Sequence, residues 1–372
     1  MFLNFKKLRK LRTNPKLFFK DAIEKKVFWL SCTYNKYLPK KYKGFTQYTI
    51  ISAVYNVEKY LDDYFNSIIN QRLDFKKNIF MILVDDGSTD DSANIIKKYQ
   101  KKYPKNIVYL YKENGGQASA RNLGLKYMQE NNYKTPWVTF TDPDDFLDRN
   151  YFYEVDKFLS THQDDDICMV ATNIIIYNNI TNTKSKHPLD FKFKNGNIIK
   201  PIVQLENEIQ SSTPALFLMD AIREKKLLFN EEEILKCNFE DGLFCYEYLI
   251  NHSPFSIAYI STAIYIYRKG LSDSTTAKSL LDKNLYLGIP NTIFSKLFYS
   301  WKCMFQYTKF IQNVILYYFI FQIKDLINSP EKLSFMSENE KQRYLELLDQ
   351  NFSYIDNDTI MKFSLAGCWF FH

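Results

Sequence analysis

The sequence predicts an α/β protein with a mostly parallel sheet flanked by helices, a basic helical arm in front and a helical region behind. Three observations carry this expectation. Between positions 48 and 140, short β-branched runs alternate with helical segments of ten or more residues, the pattern of βαβ units. Two of the strand ends bear aspartates, at Asp85-Asp86 and at Asp142-Pro143-Asp144-Asp145. Glycine is scarce, ten in 372 residues, yet Gly87, Gly115, Gly116 and Gly124 fall within 38 residues between those carboxylates. Glycine allows close backbone approach to a ligand, so the clustering favours a pocket over ordinary turns.

In chain order, residues 1–44 form the arm. Asn14 followed by Pro15 is a helix-start signal, and Leu17, Phe18, Ala22, Ile23 and Val27 then recur at helical spacing among lysines. Strands are expected at Thr49–Tyr55, Ile79–Val84, Ile107–Leu110 and Trp137–Phe140. The helices between them are expected after Asn56 (with Tyr60, Leu61, Tyr64, Phe65 and Ile68 on one side), at Asp90–Tyr103 and at Ala118–Glu130. Further strands are expected at Ile167–Ile176 and Ile257–Tyr267, a loop or hairpin at Asn178–Asn197, and helices at Ser212–Lys225 and Phe239–Ile250. From position 276 to 372 the chain reads as aromatic-rich helix, leaving 45–275 as the central domain. The most apolar stretch, Val314–Ile323, is too short and too polar at its flanks to span a bilayer, which takes about 20 apolar residues. The closing stretch from Met361 is apolar with no polar tail, as in a segment of a longer protein.

Charge is uneven. Residues 1–43 hold 13 Lys or Arg against Asp21 and Glu24, a net of +11, so with +7 on the whole chain the remainder carries −4. Such an arm suits an anionic membrane surface, where each lysine is worth roughly 1 kcal/mol, or equally a solvated or domain-packing helix. Nothing else reads as a nucleic-acid module. The six cysteines (Cys32, Cys168, Cys237, Cys245, Cys303, Cys368) form no CxxC pair and follow no secretory signal. Reduced thiols in a cytoplasmic setting are therefore expected, and no zinc site is expected.

Carboxylates gathered at strand ends, with no matching His or Cys, suit a hard cation such as Mn²⁺ or Mg²⁺ held together with a phosphate. In open α/β sheets the ligand sits beyond the carboxyl ends of the strands. There is no GxGxxG after the first strand and no GxxxxGK[ST], which argues against dinucleotide and Walker-type sites. Taken alone, Asp86-Gly-Ser-Thr-Asp90 reads as a turn with a helix cap, and Asp142–Asp145 as an acidic helix start. Their order and spacing, together with the glycine turn, favour binding.

That order, Ser52-Ala-Val-Tyr-Asn56, Val84-Asp-Asp-Gly-Ser-Thr-Asp90, Asn114-Gly-Gly-Gln-Ala-Ser-Ala-Arg-Asn-Leu-Gly124 and Asp142-Pro-Asp-Asp145, resembles the family 2 glycosyltransferases of the GT-A fold, a Rossmann-like sheet flanked by helices. The resemblance covers about residues 48–270. It implies a nucleotide-sugar donor, UDP-linked, lined by Tyr55, Asn56, Asp86, Asn114, Gly116 and Arg121. It further implies that Asp142 and Asp144, with Asp145 adjacent, contact ribose and the divalent metal. Two departures are notable. Ala53 stands where the family has proline, and Pro143 sits inside the DxD, pushing Asp142 toward extended geometry.

The family's base lies in an acidic pair opening a late helix, which Phe239-Glu240-Asp241-Gly242 matches, so Asp241 is expected as base with Glu240 beside it. A helix N-terminus favours the ionised form, which would keep Asp241 a competent base at neutral pH. Tyr265-Ile-Tyr-Arg268 through Ser272 resembles the segment that closes over the diphosphate, giving Arg268 and Ser272 donor roles. His252 is expected to be structural. The arm and the Asn14-Pro-Lys-Leu-Phe-Phe-Lys-Asp21 opening resemble bacterial capsule and surface-polysaccharide transferases. A growing or lipid-linked glycan is therefore the expected acceptor, at the inner face of the plasma membrane. The alternatives are a non-catalytic glycan- or partner-binding module, in which Glu240 and Asp241 would point away from the carboxylates, and a sugar nucleotidyltransferase. The latter would need a Gly-rich basic loop where Val54-Tyr-Asn-Val-Glu58 stands.

Overall fold

The computed structural model describes residues 42–365 and Pro15, apart from 132, 134, 211–213, 236–238, 253, 271–278, 303–307 and 327–328. The expected arm thus lies almost wholly outside the described residues, as does Ser272.

Strand β1 (Tyr48–Val54) runs through α1 (Glu58–Ile69) and the one-turn α2 (Phe75–Asn78) into β2 (Ile79–Asp86). Helix α3 (Ser92–Lys102) leads to β3 (Ile107–Lys112), and α4 (Gln117–Glu130) to β4 (Trp137–Phe140). All three pairings in the order β3-β2-β1-β4 are parallel. The chain steps outward from β1 to β3 and then returns to the other side of β1 with β4. The direction therefore switches between β1 and β4, the crevice where such sheets take ligands.

The second half is mixed. It contains β5 (Phe146–Leu147), α5 (Tyr151–Thr161), β6 (Ile167–Asn178), β7 (Thr183–Lys186), β8 (Ile198–Pro201), β9 (Ala215–Leu218), α6 (Met219–Lys225), α7 (Glu240–Asn251) and β10 (Ser256–Lys269). The sheet reads β3-β2-β1-β4-β9-β6-β10-β5, with β7 on β6 and β8 on β10. Parallel register dominates because β1–β2, β2–β3 and β6–β10 are the longest ladders. The polar stretch after β6 forms the β6–β7 hairpin.

One expectation is corrected. The helix predicted over Ser212–Lys225 begins only at Met219, and Ala215–Leu218 is a strand, antiparallel to both β4 and β6. Four apolar residues carry no period that separates strand from helix. What decides is that Leu216 and Phe217 are buried in opposite faces of the sheet.

Alternation along β1 splits the core. Tyr48, Ile50 and Val54 pack with α1, α3 and α5, whereas Ile51 faces α4 and the other core. Burial on both faces explains why β1 and β2 read as continuous apolar runs. Gly124 permits α4 to lie against β1, since a Cβ there would come 2.4 Å from Ile51 Cγ2. Beyond β10, two π-helical turns precede α8 (Ser295–Lys302), α9 (Thr308–Leu326), α10 (Glu338–Phe352) and α11 (Asn357–Lys362). Their apolar side chains, among them Phe294, Ile315 and Phe319, join the same core as α4 and α7. Among the described residues no helix is long and apolar enough to cross a membrane.

Candidate active site

The carboxyl end of β2 delivers Asp85 and Asp86, and both are fully engaged. Asp85 accepts from the Ser88 N–H (2.9 Å) and the Tyr109 hydroxyl (2.8 Å). Asp86 Oδ1 accepts from Lys112 Nζ (2.7 Å) and the Gly115 N–H (3.0 Å), and its Oδ2 from the Gly116 N–H (2.8 Å). Asn114 closes the turn by donating to the Asp86 carbonyl (3.0 Å). Gly116, at φ +91°, supplies the left-handed step that aims its N–H at Asp86 and opens α4. Lys112 escaped the sequence reading, although a signal existed. In parallel register Lys112 stands directly opposite Asp86.

The loop after β1 leans on the same turn. Asn56, itself at φ +52°, accepts from the Thr89 N–H (2.8 Å), and Asp90 accepts from the Glu58 N–H at the head of α1 (3.0 Å). Tyr55 is exposed beside it.

The carboxyl end of β4 delivers the second set. Asp142 and Asp144 are partly exposed, and Asp145 is buried. Asp145 turns inward, accepting from the Tyr265 hydroxyl (2.7 Å) and the Arg268 N–H (2.7 Å), while the Asp142 N–H donates to Tyr265 (3.2 Å). Asp145 thereby anchors this loop to β10. Arg268 is likewise held inside the protein. Its Nε donates to the Asp144 carbonyl (2.8 Å), it pairs with Asp63 (3.1 Å), and it lies between the Tyr60 and Phe146 rings. In this structure Arg268 is a clamp among α1, β5 and β10.

Arg121 joins the two sides of the cleft. Only 2% exposed, it donates to Asp142 (3.0 Å), to Glu240 at the head of α7 (3.1 Å) and to Gln117 one turn back on α4 (3.1 Å), above the Phe229 ring. Burial opposes its charge, but Asp142 and Glu240 outweigh that and hold its pKa above the ordinary value. The guanidinium is thus held by three partners from three elements. The next residue, Asn122, pins the 229–231 segment through the Phe229 backbone and Glu231. Phe229 in turn stacks on Phe244 of α7 (4.1 Å). Helix α4 thus sets the position of the glycine turn, Asp142, the Phe229 segment and α7.

Negative charge accumulates at this end. Burial, then Asp142, push Asp144 up to about 6. Burial, then Glu240, push Asp241 up to about 7, with Arg121 working the other way. Asp241 Oδ1 accepts from the Gly242 N–H (2.7 Å). Desolvation and the adjacent carboxylate thus work against the helix terminus, which favours the ionised form. A cation would relieve this crowding. Mg²⁺ or Mn²⁺ needs only one or two carboxylates, with phosphate and water completing its shell, and Asp142 and Asp144 fit that need. Among the described residues no group of three His, Cys, Asp or Glu forms a ready-made metal cage. His252 is buried with its ring nitrogens on the Tyr248 and Ala221 carbonyls, a structural placement.

Carboxylates at strand ends on either side of β1, a glycine turn between them and an acidic pair opening a later helix define the GT-A class of fold. Residues 49–224 match the model of glycosyl transferase family 2, so the chain carries a family 2 glycosyltransferase domain. It is 32% identical to the minor teichoic acid biosynthesis protein GgaB of Bacillus subtilis (strain 168) over 85% of its own length, but spans only 33% of that relative. Its fold is similar to a crystal structure of Staphylococcus aureus TarS 1–349 in complex with UDP-GlcNAc. The TM-score there is 0.64 at 17% identity, over 84% of this chain and 82% of that one. It is also similar to the mannosyltransferase PcManGT of Pyrobaculum calidifontis in complex with GDP-Man and Mn²⁺, with a TM-score of 0.50 at 12% identity over 90% and 89%. At these identities the two structures bear on fold alone.

Proposed function

We propose that this chain moves a sugar from a nucleotide-linked donor, UDP-linked, to a growing bacterial surface glycan of the teichoic acid or capsular kind, with inversion and with a divalent cation. The catalytic unit is residues 45–275, with 1–44 as a peripheral membrane contact on the cytoplasmic side and 276–372 as a helical addition. The observation that supports this reading most is the Arg121 bridge, which ties Glu240 at the head of α7 to Asp142.

In this mechanism the donor lies over β1, with Tyr55, Asn56, Asn114 and Gly116 around the nucleoside and Asp86 holding the turn that shapes its pocket. Asp142 and Asp144 would hold Mn²⁺ or Mg²⁺, which supplies charge neutralisation to the diphosphate. Asp241 takes the proton of the acceptor hydroxyl as its oxygen bonds to the anomeric carbon from the face opposite the diphosphate. The carbon–oxygen bond to the nucleotide breaks, and UDP leaves with that electron pair. A pKa near 7 suits this task, since a base works best close to the operating pH.

The test is a donor screen. UDP-, GDP- and CDP-linked sugars are incubated with polyol-phosphate and capsular oligosaccharide acceptors, with and without Mn²⁺, and nucleotide release is followed. Acceptor-stimulated release of UDP from one donor is expected. No release from any donor overturns the enzymatic reading.

A further inference from the structure

We propose that Arg121 is a positioning residue that couples the donor carboxylate Asp142 to the acceptor-side base helix, and does not itself bind the nucleotide. The proposal rests on the transferase reading above.

Three features carry it. First, the side chain is buried and sends its guanidinium to three acceptors from three elements, Asp142 after β4, Glu240 on α7 and Gln117 on α4. A planar guanidinium holds several acceptors in a fixed geometry, whereas a lysine is a single point charge on a flexible stem. Second, two carboxylates share this one cation, and Glu240 is itself 7% exposed, so its charge has no solvent to fall back on. Removing one partner of a buried pair leaves an uncompensated charge, a far larger effect than losing the pair. Third, Asp241 follows Glu240 directly, and the helix they open is fixed from below by Phe229 and Phe244, which α4 also pins through Asn122. The pairing to Glu240 therefore sets where the first turn of α7 stands relative to Asp142. Asp142, with its side chain 39% exposed, is the member of the network that a donor complex can reach. Occupation on the donor side is thus transmitted through one guanidinium to the residue before the base.

Arg121→Lys, Glu240→Gln and the double variant are compared with the wild type in kcat, donor KM, UDP affinity and the pH profile of kcat. Arg121→Lys is expected to lower kcat about 10²-fold, the scale on which misplacement of a reacting group acts. UDP affinity and donor KM should stay within about threefold, the margin allowed for a residue that does not touch the nucleotide. The acid limb of kcat should also move, because the charge beside Asp241 is displaced. Adding Glu240→Gln to Arg121→Lys should lower kcat little further, since the two act through one link between Asp142 and the head of α7 and their effects do not add.

Arg121 would instead be a donor ligand if Arg121→Lys raised donor KM and weakened UDP binding tenfold with kcat intact. A merely structural role would lower the melting temperature and leave kcat and its pH profile unchanged in the folded protein. Either result overturns the proposal while the wild-type enzyme still turns over. A wild type that consumes no donor instead fails the transferase reading itself, and the proposal with it.

Discussion

Two pairs of aspartates end two strands on either side of β1, and the fold treats them in opposite ways. Asp85 and Asp86 are saturated by backbone N–H groups, Tyr109 and Lys112, so they hold the donor-side turn in shape. Asp142 and Asp144 keep part of their surface open and share a neighbourhood with Glu240 and Asp241 in which one buried arginine balances several carboxylates. Raised carboxyl pKa values appear at the second set, to about 6 for Asp144 and about 7 for Asp241. The same residue type at the same kind of position thus becomes scaffold where donors surround it. Where burial and like charge leave it short of them, its pKa rises.

The largest effect expected from breaking this contrast is at Asp241. Asp241→Asn should lower transfer about 10²–10⁴-fold while UDP binding survives, and wild-type transfer by the variant would remove Asp241 as the base. The folded pKa near 7 lies above the unfolded value of about 3.9. The stability that comes from protonating Asp241 is therefore complete below about pH 4 and is lost as pH rises through 7. Accordingly Asp241→Asn should melt higher than the wild type at pH 8, by a margin that narrows as pH falls toward 4. In the wild type, transfer should fall as pH drops below about 7.

Asp144→Asn comes next. It should weaken donor binding as well as turnover, by about ten- to a hundredfold, or 1.4–2.7 kcal/mol, and EDTA should reproduce the loss in the wild type. Full activity in either case would sink the metal assignment.

Asp86→Asn should act mainly on stability. Its new amide would face Lys112 or one of the two glycine N–H groups, a cost of about 1–3 kcal/mol, seen as a lower denaturation midpoint. If Asp86→Asn kept its stability but lost uridine selectivity, the scaffold role argued here would give way to direct base contact.

The smallest effect concerns the arm. Deleting residues 1–43 should weaken binding to anionic liposomes at low salt without changing turnover on a short soluble acceptor. Equal liposome binding by both proteins would remove the arm as the membrane contact.

By itself the sequence determined the repeating strand–helix order through β4, the two aspartate clusters, the glycine turn and the acidic head of α7. These are local facts: apolar period, residue type and spacing survive in one dimension. Only the tertiary structure decided that Ala215–Leu218 is a strand, because its faces are defined by β4 and β6 and not by its own four residues. It decided that Asp145 and Arg268 turn inward to β10 and α1 instead of facing the cleft. It also decided that Arg121 meets Glu240, 119 positions along the chain, and that burial and then Glu240 push the Asp241 pKa up. Direction, pairing and desolvation depend on which surfaces come together, and a linear pattern carries residue identity without that information.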